Sequence, residues 1–472
     1  MLKSLGLLLW IPTLVFSQGG LGSISGSVTD TSGSFIPGAS VRLVQTSTQT
    51  IRTAASNETG VFHLTSVLPG DYVLTIASGG FKEKKLSNIA VNGFQQLALG
   101  EIRLDLGEGP STAVTVTAEQ QIVKDTGVRF ETIQSKQVED TPINGRNWAT
   151  LLNVIPGSVQ LNDSAINGRE YGYYGYADFS INGKAANTAQ VNLDGGSIVD
   201  HGSDAKVTVS PSLESIQEVS VLTNNFTAEH GNRSGAVINV VTKSGSNAYH
   251  GVAFEYLRNE AMNANSWSNS YIGQERPKYR YNYYGANLGG PIKRDKLFFF
   301  YNFENFKQFI PGSTVLSRVP TALERQGDFS QTANANGSKP IIYQQGTQFS
   351  GTPLLMPGNV IPKSQIDPLG AAIMNLFPLP NYSKDPNNNY TLQYQARYPR
   401  LSQVGKADWN IDGKTRAYVR YSNDSGTNQD RAIWSNSGNF PFSMINQYRP
   451  DRALAVNATR TMSPTVVLES MF

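Results

Sequence analysis

The sequence contains no cysteine, and this absence excludes several kinds of chemistry. Without thiols the chain has no disulfide, no thiolate nucleophile, no cysteine-ligated metal and no lipidated cysteine. Charge is scarce as well, since Asp, Glu, Lys and Arg make up only 16% of the chain. The net charge of +3 arises from 39 basic and 36 acidic residues spread along the sequence. A nucleic-acid surface would need a basic stripe, so nucleic acid is excluded as a partner.

Long apolar runs are missing beyond the N-terminus, so the sequence offers no transmembrane helix of about 18 residues. The N-terminus itself has Lys3, then an apolar stretch from Leu5 to Phe16, and short residues at Val15 and Ser17. This pattern predicts a signal peptide over residues 1–17, with cleavage after Ser17 and Gly19 as second choice. A membrane anchor is the alternative, but the apolar stretch is too short to span a bilayer. The sequence therefore predicts export.

Glycine and aromatic residues are abundant, with 44 Gly, 21 Tyr and 21 Phe in 472 residues. Together with many Asn, Ser and Thr, they indicate a mainly β chain with many turns. A chain of this length has room for two or three domains.

Residues 22–105 alternate short β-branched runs with turn residues such as Pro37-Gly38 and Pro69-Gly70. Several short strands at this spacing are typical of a small β-sandwich. Its strands are predicted at Ile24–Thr29, Ala39–Val44, Val61–Leu64, Tyr72–Ile76 and Gln96–Leu104. His63 lies in an alternating strand, where a packed or surface role is favoured over metal binding.

Residues 106–118 form a linker that contains the Val/Thr alternation Ala113–Ala118. This segment is compatible with an edge strand that closes the sandwich. It is equally compatible with an extended peptide that adds to the sheet of a partner protein. The residues alone do not separate the two interpretations.

Residues 119–245 combine short helices with a compact, turn-rich β segment. Helices are predicted at Ser135–Asp140 and Trp148–Val154. Asn182-Gly183 and Asp194-Gly195 have the residue types that tight hairpin turns require, because these residues tolerate positive φ. The run Ala236–Thr242 predicts a strand buried on both faces, although Asn239 interrupts it.

Residues 246–472 alternate with a period of two, and an apolar, aromatic-rich set interleaves with a polar set. The apolar sets are Val252, Phe254 and Tyr256; Leu297, Phe299, Tyr301 and Phe303; Trp409 and Ile411; and Ala417, Val419 and Tyr421. Such strands are typical of a transmembrane β-barrel with lipid outside and water inside. A soluble sandwich with one solvated face is the alternative.

Connection lengths separate these two alternatives. Strands are predicted at Tyr249–Arg258, Tyr281–Gly289, Leu297–Phe306, Leu401–Ile411, Thr415–Ser422, Arg452–Arg460 and Thr465–Phe472. The connections between them are alternately long and short, and the longest runs from Lys307 to Arg400. Outer-membrane barrels have short periplasmic turns and long external loops, so the alternation favours the barrel.

Several phrases carry a family resemblance. Ile24–Asp30, Ile36–Ala39 and Leu68–Tyr72 resemble the carboxypeptidase regulatory-like, transthyretin-type domain. Pro142–Trp148, Leu193-Asp194-Gly195, Ser210–Glu218, Ala228–Gly231 and Gly235–Gly245 resemble the plug of a TonB-dependent outer-membrane transporter, and the domain order resembles its Oar-like branch. The resemblance implies a sandwich over residues 22–105, a plug of mixed short helices and strands over residues 119–245, and a barrel from residue 246 onward.

The resemblance also implies outer-membrane uptake of a large or scarce solute such as a glycan, peptide or metal chelate. It places the energy-coupling strand at Val114, Thr115, Val116 and Thr117, which bind a TonB-type inner-membrane protein. The sandwich and the plug would lie on the periplasmic side, and the barrel would contact outer-membrane lipid. The alternative is a non-transporting adhesin or envelope-organising, carbohydrate-binding barrel.

No catalytic, cofactor-binding or metal-binding residue is predicted. The four histidines, His63, His201, His230 and His250, have no metal-ligand spacing, and no Gly-x-Ser-x-Gly motif occurs. The sequence is therefore not expected to be an enzyme.

A barrel that surrounds a plug has about 22 strands, so the seven predicted strands are too few to form one. Seven is also odd, whereas bacterial barrels have even strand numbers. We expect an incomplete barrel wall, with further strands encoded downstream.

Overall fold

The computed structural model describes most of the chain between residues 21 and 472. The described ranges are 21–93, 95–107, 129–143, 146–160, 179–185, 188–199, 207–224, 235–271, 275–334, 336–349, 351–384, 387–431, 444–463 and 466–472. The expected signal peptide and the segment Val114–Thr117 lie outside these ranges.

The first unit is a β-sandwich, as the turn spacing predicts. Its strands are β1 Gly22–Thr29, β2 Ser40–Gln45, β3 Ile51–Ala55, β4 Val61–Val67, β5 Gly70–Ala77, β6 Lys84–Val91 and β7 Gln96–Arg103. One sheet has the order β4-β1-β7 and the other β3-β2-β5-β6. Ile24, Leu43, Phe62 and Leu74 are fully buried between the sheets. β3 and β6 were not predicted from the sequence, because β3 has no buried residue and β6 opens with two lysines.

The middle part of the chain, which we call the central unit, spans the described residues from 129 to 242. Its main sheet has the order β12-β11-β14-β13-β8, and β9 pairs with β10. The strands are β8 Arg129–Gln134, β9 Ser158–Gln160, β10 Phe179–Ile181, β11 Gln190–Leu193, β12 Gly196–Ser197, β13 Ile216–Asn224 and β14 Val237–Thr242. Every residue of β14 is buried, including Asn239, as the apolar run predicts.

Short helices cover one face of the central sheet. They are the α-helix α1, Ser135–Asp140, and 3₁₀ helices at Trp148–Val154 and Leu213–Ser215. Both predicted helices are present, although the second has 3₁₀ geometry. Val138, Trp148 and Leu151 pack from these helices onto Val219 and Val240 in a single apolar core.

The third unit is one antiparallel sheet, which we call the wall. Its strands are β15 His250–Asn259, β16 Arg280–Lys293, β17 Leu297–Ser317, β18 Tyr390–Arg397, β19 Arg400–Asn410, β20 Thr415–Arg431, β21 Met444–Ser463 and β22 Val466–Met471. The long connections contain α2 Trp267–Tyr271, α3 Pro368–Leu376 and 3₁₀ helices at Glu260–Met262, Glu324–Gln326, Pro357–Asn359 and Lys363–Gln365. No described helix is long and apolar enough to cross a membrane.

The wall is open, because β15 and β22 lie at opposite edges of the described sheet. β18 and β19 pair with successive parts of β17 and together occupy one strand position, so the eight strands fill seven positions across the sheet. This agrees with the seven predicted strands. The tight turn before β20 forms as expected, since Asp412 Oδ1 accepts the amides of Lys414 and Thr415 at 2.7 Å.

The predicted strand bounds are wrong for several strands of the wall. The stretch from Lys307 to Arg400 is not a single connection, because β17 continues to Ser317 and β18 pairs with it. Pro311-Gly312 interrupts the alternation of apolar and polar residues there, so the sequence pattern does not predict this part of the strand. β20 and β21 are also longer than predicted, at 17 and 20 residues, whereas about 10 residues cross a bilayer. These strands therefore extend beyond a membrane at the end with long connections.

The two faces of the wall differ in polarity. The face toward the central unit, which we call the inner face, buries Asn302, Glu304, Lys406 and Arg420. The outer face carries apolar residues that are about half exposed, among them Tyr301, Trp409, Val419, Tyr421 and Leu454. This arrangement confirms the alternation for β19 and β20.

The expected orientation is wrong for β15. Tyr256 pairs directly with Tyr283, which is buried on the inner face, and Phe254 lies beside the same ring. The aromatic set of β15 therefore faces inward, where the guanidinium of Arg146 covers it.

The sandwich core lies wholly within residues 22–105, so this segment expressed alone should unfold in one cooperative transition. Phe62→Ala should lower its free energy of unfolding by about 3–5 kcal/mol, because the buried ring leaves a cavity. Phe35→Ala is the matched control, and its exposed ring should change stability by less than about 1 kcal/mol. Urea denaturation followed by circular dichroism measures both, and a broad, noncooperative transition would contradict autonomous folding.

Candidate functional site: the buried interface between the central unit and the wall

Asp194 occupies the turn between β11 and β12, as the Asp-Gly pair predicts. Its φ of 48° and the φ of 88° at Gly195 are both positive, which Asp and Gly tolerate in a tight turn. Asp194 Oδ1 accepts the amide of Thr242 at 2.8 Å, and Oδ2 accepts the Thr242 hydroxyl at 2.7 Å. The turn and the end of β14 therefore fix the carboxylate in one position.

Two cations of the wall face this carboxylate. Lys406 Nζ lies 3.5 Å from Oδ1, and Arg420 Nε lies 3.1 Å from Oδ2. Arg420 also donates to the carbonyl of Leu193 at 3.2 Å, and the Tyr418 hydroxyl donates to the carbonyl of Asp194 at 2.6 Å. All three ionic side chains are almost completely buried. We call this set the Asp194 cluster.

The protein environment keeps Asp194 ionised. Burial alone would raise the pKa of the carboxyl, but Lys406, Arg420 and the bonds from Thr242 outweigh burial and lower the pKa. A buried carboxylate is stable only when charges and hydrogen bonds replace its hydration. The cluster therefore depends on both units being in contact.

A second contact lies on the segment Ser210–Ser215. Arg400 and Asp424 form a two-bond ion pair on the inner face, with Arg400 Nη2 2.6 Å from Asp424 Oδ2. Both partners also bind the backbone of Ser210, since Arg400 Nη2 donates to its carbonyl at 2.8 Å and Asp424 accepts its amide at 3.1 Å. Asn302 Nδ2 donates to Ser212 Oγ at 3.0 Å. The wall thus holds this segment by main-chain and side-chain bonds.

A third contact involves Arg146. Its guanidinium lies 2.5 Å from Glu214 and 4.4 Å from the centre of the Tyr256 ring. An arginine so placed combines an ion pair with a cation–π interaction. Tyr283 extends the contact, since its hydroxyl donates to Glu304.

The sandwich also contacts the central unit. The amide of Gly93 donates to Glu218 Oε1 at 2.7 Å, and the Ser220 hydroxyl donates to the same oxygen at 2.9 Å. Burial raises the pKa of the Glu218 carboxyl to about 7, and these two hydrogen bonds offset it in part. No charged side chain of the described residues bonds to Glu218.

Some of the residues that make these contacts lie in sequence phrases already noted, and others do not. Three phrases that carry the resemblance supply the contacts of the central unit through Arg146, Asp194 and the segment Ser210–Ser215. The wall partners Arg400, Lys406 and Asp424 were not predicted. Lys406 alternates with Ala407 and Trp409, which was a usable signal, whereas Asp424 lies between Asn423 and Ser425 and has no such pattern. The predicted partner-binding residues Val114, Thr115, Val116 and Thr117 lie outside the described residues, so their role stays a prediction.

Two family comparisons match. Residues 23–105 match the carboxypeptidase regulatory-like domain, and residues 241–472 match the outer membrane beta barrel domain. A curated relative, the TonB-dependent transporter Oar of Myxococcus xanthus, is 29% identical over an alignment of 303 residues that covers 60% of this chain. The match covers 26% of that relative, so this chain spans about a quarter of its length.

Several solved structures also align with the chain. The transporter YddB of Escherichia coli has 12% identity and a TM-score of 0.42, and the alignment covers 71% of this chain and 37% of the YddB chain. The siderophore receptor PirA of Acinetobacter baumannii has 15% identity and a TM-score of 0.32, covering 70% and 44%. The ferric enterobactin receptor PfeA of Pseudomonas aeruginosa has 12% identity and a TM-score of 0.34, covering 70% and 46%.

Asp194→Asn should weaken the attachment of the central unit to the wall. The amide keeps the turn but leaves Lys406 and Arg420 buried without a counter-charge, which costs about 3–5 kcal/mol. Amide hydrogen exchange in β14 should then accelerate by at least about 100-fold. Glu139→Gln is the matched control, because its ion pair with Lys243 leaves Glu139 48% exposed and is worth about 0–1 kcal/mol. Equal exchange rates in the two variants would contradict a structural role for the cluster.

Glu218 should make the stability of the central unit depend on pH. Its pKa in the folded protein, about 7, is raised above the ordinary 4.5, so its stabilising contribution is complete below pH 4.5 and is lost as the pH rises through 7. Glu218→Gln should remove this dependence and exceed the wild type in stability at pH 8, by on the order of 2 kcal/mol. Denaturation at pH 5 and pH 8 measures the difference in free energy of unfolding between the variant and the wild type. The same difference at both pH values would refute the raised pKa.

Proposed function

We propose that this outer-membrane chain, a relative of the TonB-dependent transporters with an outer membrane β-barrel domain, is part of an active transporter. In this proposal the central unit is the plug and the wall is the part of the barrel that holds it. The end with short connections faces the periplasm, where the sandwich also lies. The long connections lie outside the cell, consistent with the general arrangement of outer-membrane barrels.

The observation that carries this proposal is the buried polar interface between the two units. A wholly apolar interface would hold a plug permanently, because its stability comes from area removed from water. Ion pairs such as those of Asp194 and Arg400 break when the partners move a few ångströms, and water can then solvate both charges. Such an interface closes the barrel at rest and releases when the plug is pulled.

The proposed pull acts on Val114–Thr117. This segment lies between the sandwich and β8 in the sequence, so a partner strand added to it would transmit force to the edge strand of the central sheet. The partner is a TonB-type inner-membrane protein. The transported solute is a large or scarce compound such as a glycan, a peptide or a metal chelate, and a deletion strain grown on panels of these compounds would identify it. No bond is made or broken in the solute.

A proline at Val116 should abolish active uptake, because proline removes a donor from the added strand. Cells carrying Val116→Pro in the intact protein should fail to use any compound on which growth depends on the transporter. Binding of that compound to isolated membranes should be unchanged, since the segment precedes the strands of the wall and the long connections in the sequence.

Val116→Ile is the matched control, because it keeps a β-branched side chain and the amide donor. It should transport as the wild type does. Normal uptake in Val116→Pro would refute the coupling role and favour the sandwich edge strand. Normal growth of the deletion strain on every compound would favour the non-transporting adhesin or envelope-organising protein.

A further inference from the structure

The end of the sandwich that contains the turn 46–50 and a second turn at Asn92 and Gly93 contacts both of the other units. At the first turn, the amide of Asn247 donates to the carbonyl of Ser47 at 3.0 Å. Asn410 Nδ2 donates to Thr50 Oγ1 at 2.7 Å. Asn247 and Asn410 lie where the wall has its short connections, so the sandwich is fixed to that end of the wall.

The wall residues at this contact are themselves tied together. Asn247 Nδ2 donates to Asp295 Oδ1 at 2.8 Å, and the amide of Asp295 donates back to Asn247 Oδ1 at 2.9 Å. Asn410 Nδ2 donates to the carbonyl of Asp295 at 3.2 Å. The turn 46–50 therefore binds two wall residues, Asn247 and Asn410, that are both hydrogen-bonded to Asp295.

The second turn of the sandwich binds the central unit. Gly93 donates to Glu218 on β13, and Gln134 on β8 donates to Asn92 at 3.2 Å. β8 and β13 are adjacent strands, and β8 is the edge strand that follows Val114–Thr117 in the sequence. One end of the sandwich thus bridges a wall that stays in place and a sheet that must move if the proposed function is correct.

We infer that the sandwich is a lock, which joins the central unit to the short-connection end of the wall at rest and must detach before a solute can pass. This inference rests on the proposed function. The hydrogen bonds of this bridge are single, and two of them join uncharged side chains, so they break more readily than the Asp194 cluster. The buried carboxyl of Glu218 has no cationic partner among the described residues, and exposure to water on detachment would relieve its burial.

The chain has no cysteine, so an introduced pair reports the contact without background. Thr50→Cys with Asn410→Cys should form a disulfide rapidly in the purified intact protein treated with an oxidant. Ser34→Cys with Asn410→Cys is the matched control, because Ser34 lies in the turn after β1, at the opposite end of the sandwich. Equal oxidation rates for the two pairs would overturn the docked position.

The lock itself is tested in living cells with the same pair. In energised cells the contact should open repeatedly, so a protonophore should raise the rate of disulfide formation at least threefold. Val116→Pro in the same background should raise the rate equally without the protonophore. Equal rates with and without the protonophore, beside a Val116→Pro variant that fails to transport, would overturn the lock and leave the proposed function intact. A Val116→Pro variant that transports normally would instead remove the coupling on which the lock depends.

Discussion

The buried charge of Asp194 constrains the arrangement of the central unit in the wall. A carboxylate with so little exposed surface requires counter-charges and hydrogen-bond donors within reach. Thr242 supplies donors from within the central unit, whereas the described cations, Lys406 and Arg420, come from β19 and β20. The position of the central sheet relative to the wall is therefore set by electrostatics as well as by shape. The ion pair of Arg400 and Asp424 binds the backbone of Ser210 and so fixes the central unit to the wall at a second point.

The same constraint explains the two faces of the wall. Strands with a period of two place Lys406 and Arg420 on the face opposite Trp409 and Val419, and a one-residue slip in register would exchange them. That slip would leave the cations on the apolar outer face and Asp194 unpaired. Membrane insertion and attachment of the central unit thus select the same register.

Gly245, between β14 and β15, lies in close contact with the backbone of the wall. A Cβ at this position would lie 2.3 Å from the carbonyl oxygen of Phe299 and 2.7 Å from that of Gly290. Any other residue would push the end of the central unit away from the wall. The sandwich, fixed to both through Asn410 and Glu218, occupies the same end. All three units therefore meet at the end of the wall that has the short connections.

The sequence by itself determined the order and class of the three units, because alternation and turn residues act over short stretches. Asp194-Gly195 specified a turn, Ala236–Thr242 a buried strand, and Asp412-Gly413 a hairpin, each from neighbouring residues. Local pattern failed for β18, which becomes a strand through its pairing with β17, and for Phe254 and Tyr256, whose facing depends on Tyr283 and Arg146. Only the tertiary structure joined Asp194 to Lys406, 212 residues away, and Thr50 to Asn410, 360 residues away. Such partners are decided by the register of every strand between them, which no local pattern encodes.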